Sequence, residues 1–407
     1  MHPMVKPALR RGWRDLNTVQ FGMTPAHALT LGPVDTATGS FLDLLDGTRG
    51  LGLLREEGRR MDLPEGHVDR LVERLARAGL LDDARGGGPD ATALRKKKEV
   101  LDRLRPDLAS LSLTTSAPGD PLGRLAARRR LRVQVRGAGR VGAVLAALLS
   151  GAGIGEVDVR DGGLVEPGDV APGGLPAESV GERRDEAARR AVRRAAPDRP
   201  PRDSTRRAGE DTPGFALVII APRDDVSVHA PPPSAAEPLL ASGTPHLYTG
   251  VVEATGVVGP LVLPGETGCA GCLQQARTDR DETWPRLVAQ WQSGRRRPAQ
   301  ACDLTLATTV AGLTAAHALT FLDGRIPSTA GARWEVSLPT LQWHARPVWP
   351  HSACPCGAAK KGEGKGKKEH TTEDGGSHAT MAGQRHSKEL RRTTVAARQA
   401  GTWRAHV

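Results

Sequence analysis

The chain has 407 residues and a formal charge of +11, with 38% hydrophobic and only 3% aromatic residues; a length of this order holds two or three domains with cores of their own. The opening "MHPMVKPALRRGW" lacks the apolar heart of a secretory signal, no apolar stretch is expected to reach the roughly 18 residues of a membrane span, and the runs Arg128–Arg130 and Arg295–Arg297 are not interleaved with aromatics, which disfavours nucleic acid as a partner. From residue 357 on, eleven Lys and Arg face five Asp and Glu, a net of +6 that leaves only +5 on the preceding 356 residues, so the basic balance sits in a segment, 358–407, expected to be a disordered tail.

Residues 1–85 read as a small α+β domain. "NTVQFGM" and "AHALTLGPV" are strand-like runs on either side of a Thr-Pro turn signal. Asp35 is placed to cap a helix carrying Phe41, Leu42 and Leu45, which Gly47 stops. "LGLLREEGRRM" predicts a second helix. Residues 65–78 predict a third, with Val68, Leu71, Val72 and Leu75 on one face at helical spacing. "GLLDD" then returns as a strand, and the whole gives a winged-helix pattern. Residues 86–130 read as a linker with a solvated helix, set between the breaker clusters "RGGGPD" and "TTSAPGDP".

Residues 131–357 alternate strands with helices. The strands are "LRVQV", "EVDVRD", "FALVIIAP", "PHLYTGVV" and "GVVGPLVLP"; a long helix ends the series at Gly324. Such alternation predicts an α/β fold, doubly wound around a mostly parallel sheet. "RWEVSLPTLQWHARPVW" adds one or two antiparallel strands.

The first strand runs into Gly137, Gly139 and Gly142, spaced G-x-G-x-x-G, and then into a helix. Such glycines permit a tight turn and a close backbone approach to phosphate, which the helix N-terminus then meets with its N–H groups. Asp161 ends the next strand, where a ribose-binding acid is expected. The pattern points to a nucleotide; the alternative is a turn that keeps its glycines for close packing alone.

Five cysteines come late in the chain. In a chain expected to be cytoplasmic this favours metal ligands over disulfides. Cys269 and Cys272 in "CAGC", with Cys354 and Cys356 in "CPC", are two close pairs able to converge on a tetrahedral zinc site. The alternatives are four reduced structural thiols or a redox pair, the latter without a thioredoxin-like context. Cys302 stands alone, either as a thioester or persulfide nucleophile or as a small buried residue.

Strand, "GAGRVG", helix, "AGIGEVDVRD", CxxC and a late cysteine pair together resemble the ThiF/MoeB family, relatives of ubiquitin-activating enzymes, over about residues 131–357. The resemblance implies a Rossmann-like doubly wound domain with a small zinc knuckle. It implies ATP with Mg2+ rather than NAD, held by Gly137, Gly139, Gly142, Asp161 and Arg184, and structural Zn2+ on the four paired cysteines. The implied reaction is adenylation of the carboxylate of a peptide or small ubiquitin-like protein, in peptide modification or sulfur transfer; the implied assembly is a homodimer. "TVQFGM" and "LLDGTR" resemble PqqD-like peptide-recognition domains, which take a leader peptide as an added strand, here between Ala28–Leu31 and Glu65–Ala78. A plain winged helix for DNA is the alternative. The fusion is similar to leader-binding partners of azoline-forming cyclodehydratases, which implies a partner enzyme of that type.

Several positions depart from the family pattern. Arg140 stands where the loop has a glycine, Gly163 where an Asp follows the ribose acid, Pro172 where a phosphate Arg belongs, and Arg184 where there is a Lys. Pro222 and Arg223 occupy the place of the metal-binding Asp, for which Asp224 substitutes only if the loop shifts. Arg140, Arg184, Asp224 and Cys302 are thus the residues left to carry any chemistry. The alternative to an enzyme is a degenerate scaffold that binds a leader peptide and delivers it to its partner.

Overall fold

Alternation builds the front sheet: in Thr18–Phe21, Val19 and Phe21 are fully buried while their neighbours are half-exposed. A computed structural model describes residues 1–198, 214–293 and 300–359; the Arg295–Arg297 run and the expected tail from residue 360 on lie outside them. Two compact units result. One is Met1–Ala84 with Ser112–Pro118, the other Arg85–Leu111 with the described residues from Gly119 on.

In the first unit β1 (Pro3–Val5) pairs antiparallel with β5 (Leu81–Asp83). Strands β2 (Arg11–Asp15), β3 (Thr18–Phe21) and β4 (Leu29–Leu31) form an antiparallel sheet in that order. Helix α1 (Thr36–Phe41) begins where the Asp35 carboxylate accepts the Thr38 N–H at 2.7 Å. Helices α2 (Leu51–Arg60) and α3 (His67–Arg77) follow. Val68, Leu71, Val72 and Leu75 of α3 close one core with Val19, Phe21, Phe41 and Leu54. Two strands escape sequence reading: β1 is only three residues long, and every residue of β2 is exposed, so no apolar alternation marks it.

The segment expected to be a linker carries α4 (Gly88–Arg95), α5 (Lys98–Thr114) and α6 (Asp120–Arg128). Leu94, Val100, Leu104, Leu122 and Leu125 make a small core of their own among them. Arg128 at the end of α6 is locked in place: its Nη2 and Nε donate to the Asp323 carboxylate at 2.6 and 2.9 Å, and both side chains are over nine-tenths buried. Asp323→Ala is therefore expected to cost about 3–5 kcal/mol in urea unfolding, because it strands a buried guanidinium.

The large sheet runs in the order β12, β11, β10, β9, β8, β6, β7. Its parallel half is β6 (Arg132–Arg136), β7 (Glu156–Arg160), β8 (Leu217–Ile220) and β9 (His246–Val252). β10 (Thr255–Val262), β11 (Ala332–Ser337) and β12 (Trp343–Pro347) continue it antiparallel. β8 reads Leu-Val-Ile-Ile because both its faces are covered. The helices are α7 (Arg140–Gly151), α8 (Arg184–Ala195), the short α9 (Asp225–His229) and α10 (Glu237–Ala241), then α11 (Ala270–Arg280), α12 (Trp284–Ser293) and α13 (Leu304–Leu322). α7 is apolar nearly all round, and almost all of it is buried.

Against the expectation from the sequence, one helix among the described residues reaches the length of a membrane span. α13 has 19 residues and a mean hydropathy of 1.3 over its best window, long and apolar enough to cross a membrane by length and composition. Its Leu306, Val310, Ala311, Ala315 and Ala318 pack into the core of the large sheet.

Candidate functional site

β6 lies between β7 and β8, so the crossovers leave it in opposite directions and a crevice opens at its C-terminal end. The glycine loop sits there. Gly137 has φ +107°, and a Cβ on it would lie 1.9 Å from the Ala221 carbonyl oxygen; one on Gly142 would lie 2.1 Å from the Gly137 oxygen. Both glycines are demanded by packing. Gly139 is different. Its φ of −75° suits any residue, and an added Cβ would meet nothing nearer than Arg223 Cγ at 3.4 Å. Gly139 also caps α7 without a side-chain bond, leaving the first-turn N–H groups for a ligand.

Asp161 braces this loop. Its Oδ2 accepts the Ala138 N–H at 2.8 Å and its Oδ1 the Gly163 N–H at 2.9 Å. Arg184 Nη1 donates to both oxygens, at 3.1 and 3.2 Å. The pair is buried, and Arg184 also reaches the Leu164 carbonyl and Asp169. A Cβ on Gly163 would stand 2.5 Å from Arg184 Nη2. The bare Gly163 thus leaves the room that the Arg184 guanidinium needs.

Arg223 completes the network: its Nε donates to Asp169 at 2.7 Å and its Nη1 to Glu166 at 3.2 Å. Glu166 and Asp169 also form a reciprocal capping box around the one-turn helix between them. Asp224, expected as a substitute metal ligand, turns away to cap α9, accepting the Ser227 hydroxyl at 2.6 Å. Asp161, Asp169 and Glu166 each hold an arginine, so these residues do not fit a protein-held Mg2+.

Arg140 does not point to solvent. Its Nη1 donates to the Cys302 carbonyl at 2.9 Å, while its buried Nε has no partner among the described residues. Burial pushes the Cys302 thiol up, which disfavours the thiolate a nucleophile needs.

The four remaining cysteines meet. Cys269 Sγ lies 3.8 Å from Cys272 and 3.6 Å from Cys354, and Cys272 lies 3.5 Å from Cys356. Four sulfurs about 2.3 Å from one centre stand about 3.8 Å apart in a tetrahedron, so the donor set is compatible with structural zinc. The His351 N–H donates to Cys272 at 3.3 Å, and bonds from Cys269 above all hold the Cys272 thiol down at about 4. Burial pushes Cys354 up to about 11.

Most of these residues are predicted from the sequence; Glu166 and the alternating chain of acids and arginines are not. Its only trace is the compensating pattern: arginines at 184 and 223 appear together with acids at 161, 166 and 169.

A glycine loop at the switch point of a doubly wound sheet, with an acid after the second strand and a four-cysteine cluster, defines an α/β protein of nucleotide-binding type. The ThiF family model matches residues 120–358, and the chain belongs to the ThiF family. The fold is similar to that of E. coli MccB with AMPCPP and MccA, at a TM-score of 0.63 and 14% identity over 88% of this chain and 100% of that one. It is similar to E. coli MccB with ATP, at 0.61 and 14% over 88% and 99%. It is similar to PaaA, at 0.59 and 16% over 85% and 100%. No curated protein matches the chain.

Proposed function

We propose that the chain binds ATP at the Gly137–Gly142 loop and adenylates the carboxylate of a peptide or small ubiquitin-like protein. The observation that carries this reading is Gly139, a glycine that no backbone angle or neighbour in the chain demands. Membership of the ThiF family supports it. E. coli MccB, of like fold, is known with ATP and, as the microcin C7 biosynthetic enzyme, with N-formylated MccA. The phosphates would meet the open first turn of α7, and Arg140 supplies a fixed cation beside it. The four cysteines would hold structural Zn2+.

A second reading is the leader-binding scaffold. It is favoured by Asp161, whose two oxygens are already shared among two N–H groups and Arg184. The PqqD-like role falls to the front unit. β4 is an edge strand of its sheet, and Arg74 of α3 donates to the Gly32 carbonyl beside its end at 3.0 Å, so a peptide strand could add alongside β4. A cyclodehydratase-type partner enzyme and a homodimer belong to this proposal.

Calorimetric titration of ATP into the full chain, with and without Mg2+, separates the two. The enzyme reading expects saturable binding that survives the omission of magnesium, followed by pyrophosphate release, as the carboxylate takes the adenylyl group, when the cognate peptide is supplied. No binding under either condition leaves the scaffold reading standing and removes the enzyme.

A further inference from the structure

At the opposite, antiparallel end of the large sheet, a cavity of about 630 Å3 opens among α9, α11, β11 and β12. It shares no residue with the glycine-loop network. Four arginines line it, Arg277, Arg280, Arg333 and Arg346, against a single carboxylate, Glu335. Arg280 and Arg346 are exposed and solvated, so the cost of like charge falls on the buried Arg333 and the half-buried Arg277.

Structural roles account for part of the cluster. Arg277 Nη1 and Arg333 Nη1 both donate to the His229 carbonyl, at 2.8 and 3.2 Å, satisfying the end of α9. Glu335 accepts from Arg333 Nε at 2.8 Å and from Arg346 Nε at 2.9 Å. They do not account for the rest. Arg333 is only 2% exposed, yet its Nη2 has no hydrogen-bond partner among the described residues. Among the described residues Arg280 donates only to a carbonyl of its own helix. Burial, then the charge of Arg333, pulls Arg277 down to about 10, and burial with the two arginines holds His229 near 4, so the imidazole stays neutral. The guanidinium of Arg277 stacks on Trp284 with its carbon 4.7 Å from the ring centre, which fixes its plane.

The rest of the wall is apolar: Leu273, Pro347, Val348 and Trp349. Trp349 is 76% exposed and stands at the lip. Planar, preorganised cations beside an apolar wall suit an oxyanion attached to an apolar body. We propose that this cavity is a second ligand site, which binds a carboxylate or phosphate group carried on an apolar or aromatic body, with Arg333 at its floor and Arg280 and Arg346 at its rim.

The test uses the full chain and follows tryptophan emission and thermal stability on titration with phenyl phosphate and with benzoate. Sodium chloride at matched ionic strength is the control. Saturable binding of either probe, with a rise in melting temperature that chloride does not reproduce, is expected; the tighter probe tells phosphate from carboxylate. The double substitution Arg280→Gln/Arg346→Gln, at the rim, should weaken the better probe about tenfold or more by removing two charge-assisted partners. Arg333→Lys, which keeps the charge but loses the planar fork, should weaken it as well. Gly139→Ala should leave it unchanged. Effects equal to those of chloride, unchanged affinity in the rim double variant, or loss of probe binding in Gly139→Ala would each overturn the assignment, the last by moving the anion to the glycine loop.

Discussion

Gly139→Ala is expected to fold as stably as the parent chain and to lose ATP binding, whereas Gly142→Ala is expected to unfold early. The two substitutions add the same methyl group three residues apart, but only one has somewhere to put it. At Gly142, inside α7, alanine would ordinarily gain up to about 1 kcal/mol of helix propensity. Here its Cβ would stand 2.1 Å from the Gly137 carbonyl oxygen, a backbone atom that cannot step aside. The propensity gain is outweighed, and a net loss of about 1–3 kcal/mol or more is expected. At Gly139 the nearest atom is the flexible Arg223 side chain at 3.4 Å, and the backbone is extended, so the fold should not register the change. The methyl would instead fill the space through which a phosphate approaches the first turn of α7. A tenfold or greater loss of ATP affinity, roughly 1.4 kcal/mol, is expected by calorimetry, with a melting temperature unchanged within about 2 °C. Normal ATP binding by Gly139→Ala would reduce the loop to a packing device.

How far the sequence could be read follows from the range of the interactions. The third front helix was legible because Val68, Leu71, Val72 and Leu75 carry their period within a few residues. The glycine loop was legible because strand, turn and helix are contiguous. The cysteines were legible because each pair is local, although the two pairs are 82 or more positions apart. The small core of α4, α5 and α6 was not: its leucines and Val100 are interrupted by Lys96–Lys98, and the solvated face dominates any local reading. α12 was not predicted, although Asp281, Thr283 and Pro285 carry a start signal for it. The arginine chain was hardest. Arg184 finds Asp161 across 23 positions and Arg223 finds Asp169 across 54, so each looks like loss of a family residue when taken alone. Together with Glu166 they form one charge-paired network, in which each carboxylate of the crevice is held by an arginine.

A metal on the four-cysteine cluster is expected to be the larger contribution. Protein purified without chelators is expected to hold close to one equivalent of zinc, and Cys354→Ser to hold almost none. The physical reason is charge. Sulfurs 3.5–3.8 Å apart cannot all ionise in a buried cluster without a cation among them, and Cys269 and Cys354 are both pushed up while Cys272 is held down. With Zn2+ present all four become thiolates and their repulsion turns into bonding. The cluster does structural service too. Cys269 caps α11, Cys354 and Cys356 anchor the segment after β12, and Ala236, Tyr248, Val262 and Ala270 pack around them. Metal loss should therefore loosen α11 and its contacts together. Losing on the order of 3–5 kcal/mol there would lower the melting temperature by roughly 10 °C in a domain of this size. Cys302→Ser is the control, because its thiol packs against the core of the large sheet and outside the cluster. It should keep both zinc and stability. Less than about half an equivalent of zinc in the parent protein would mean that the four thiols pack as thiols and that the knuckle needs no metal, and equal zinc loss in Cys302→Ser and Cys354→Ser would take the metal away from the four-cysteine cluster.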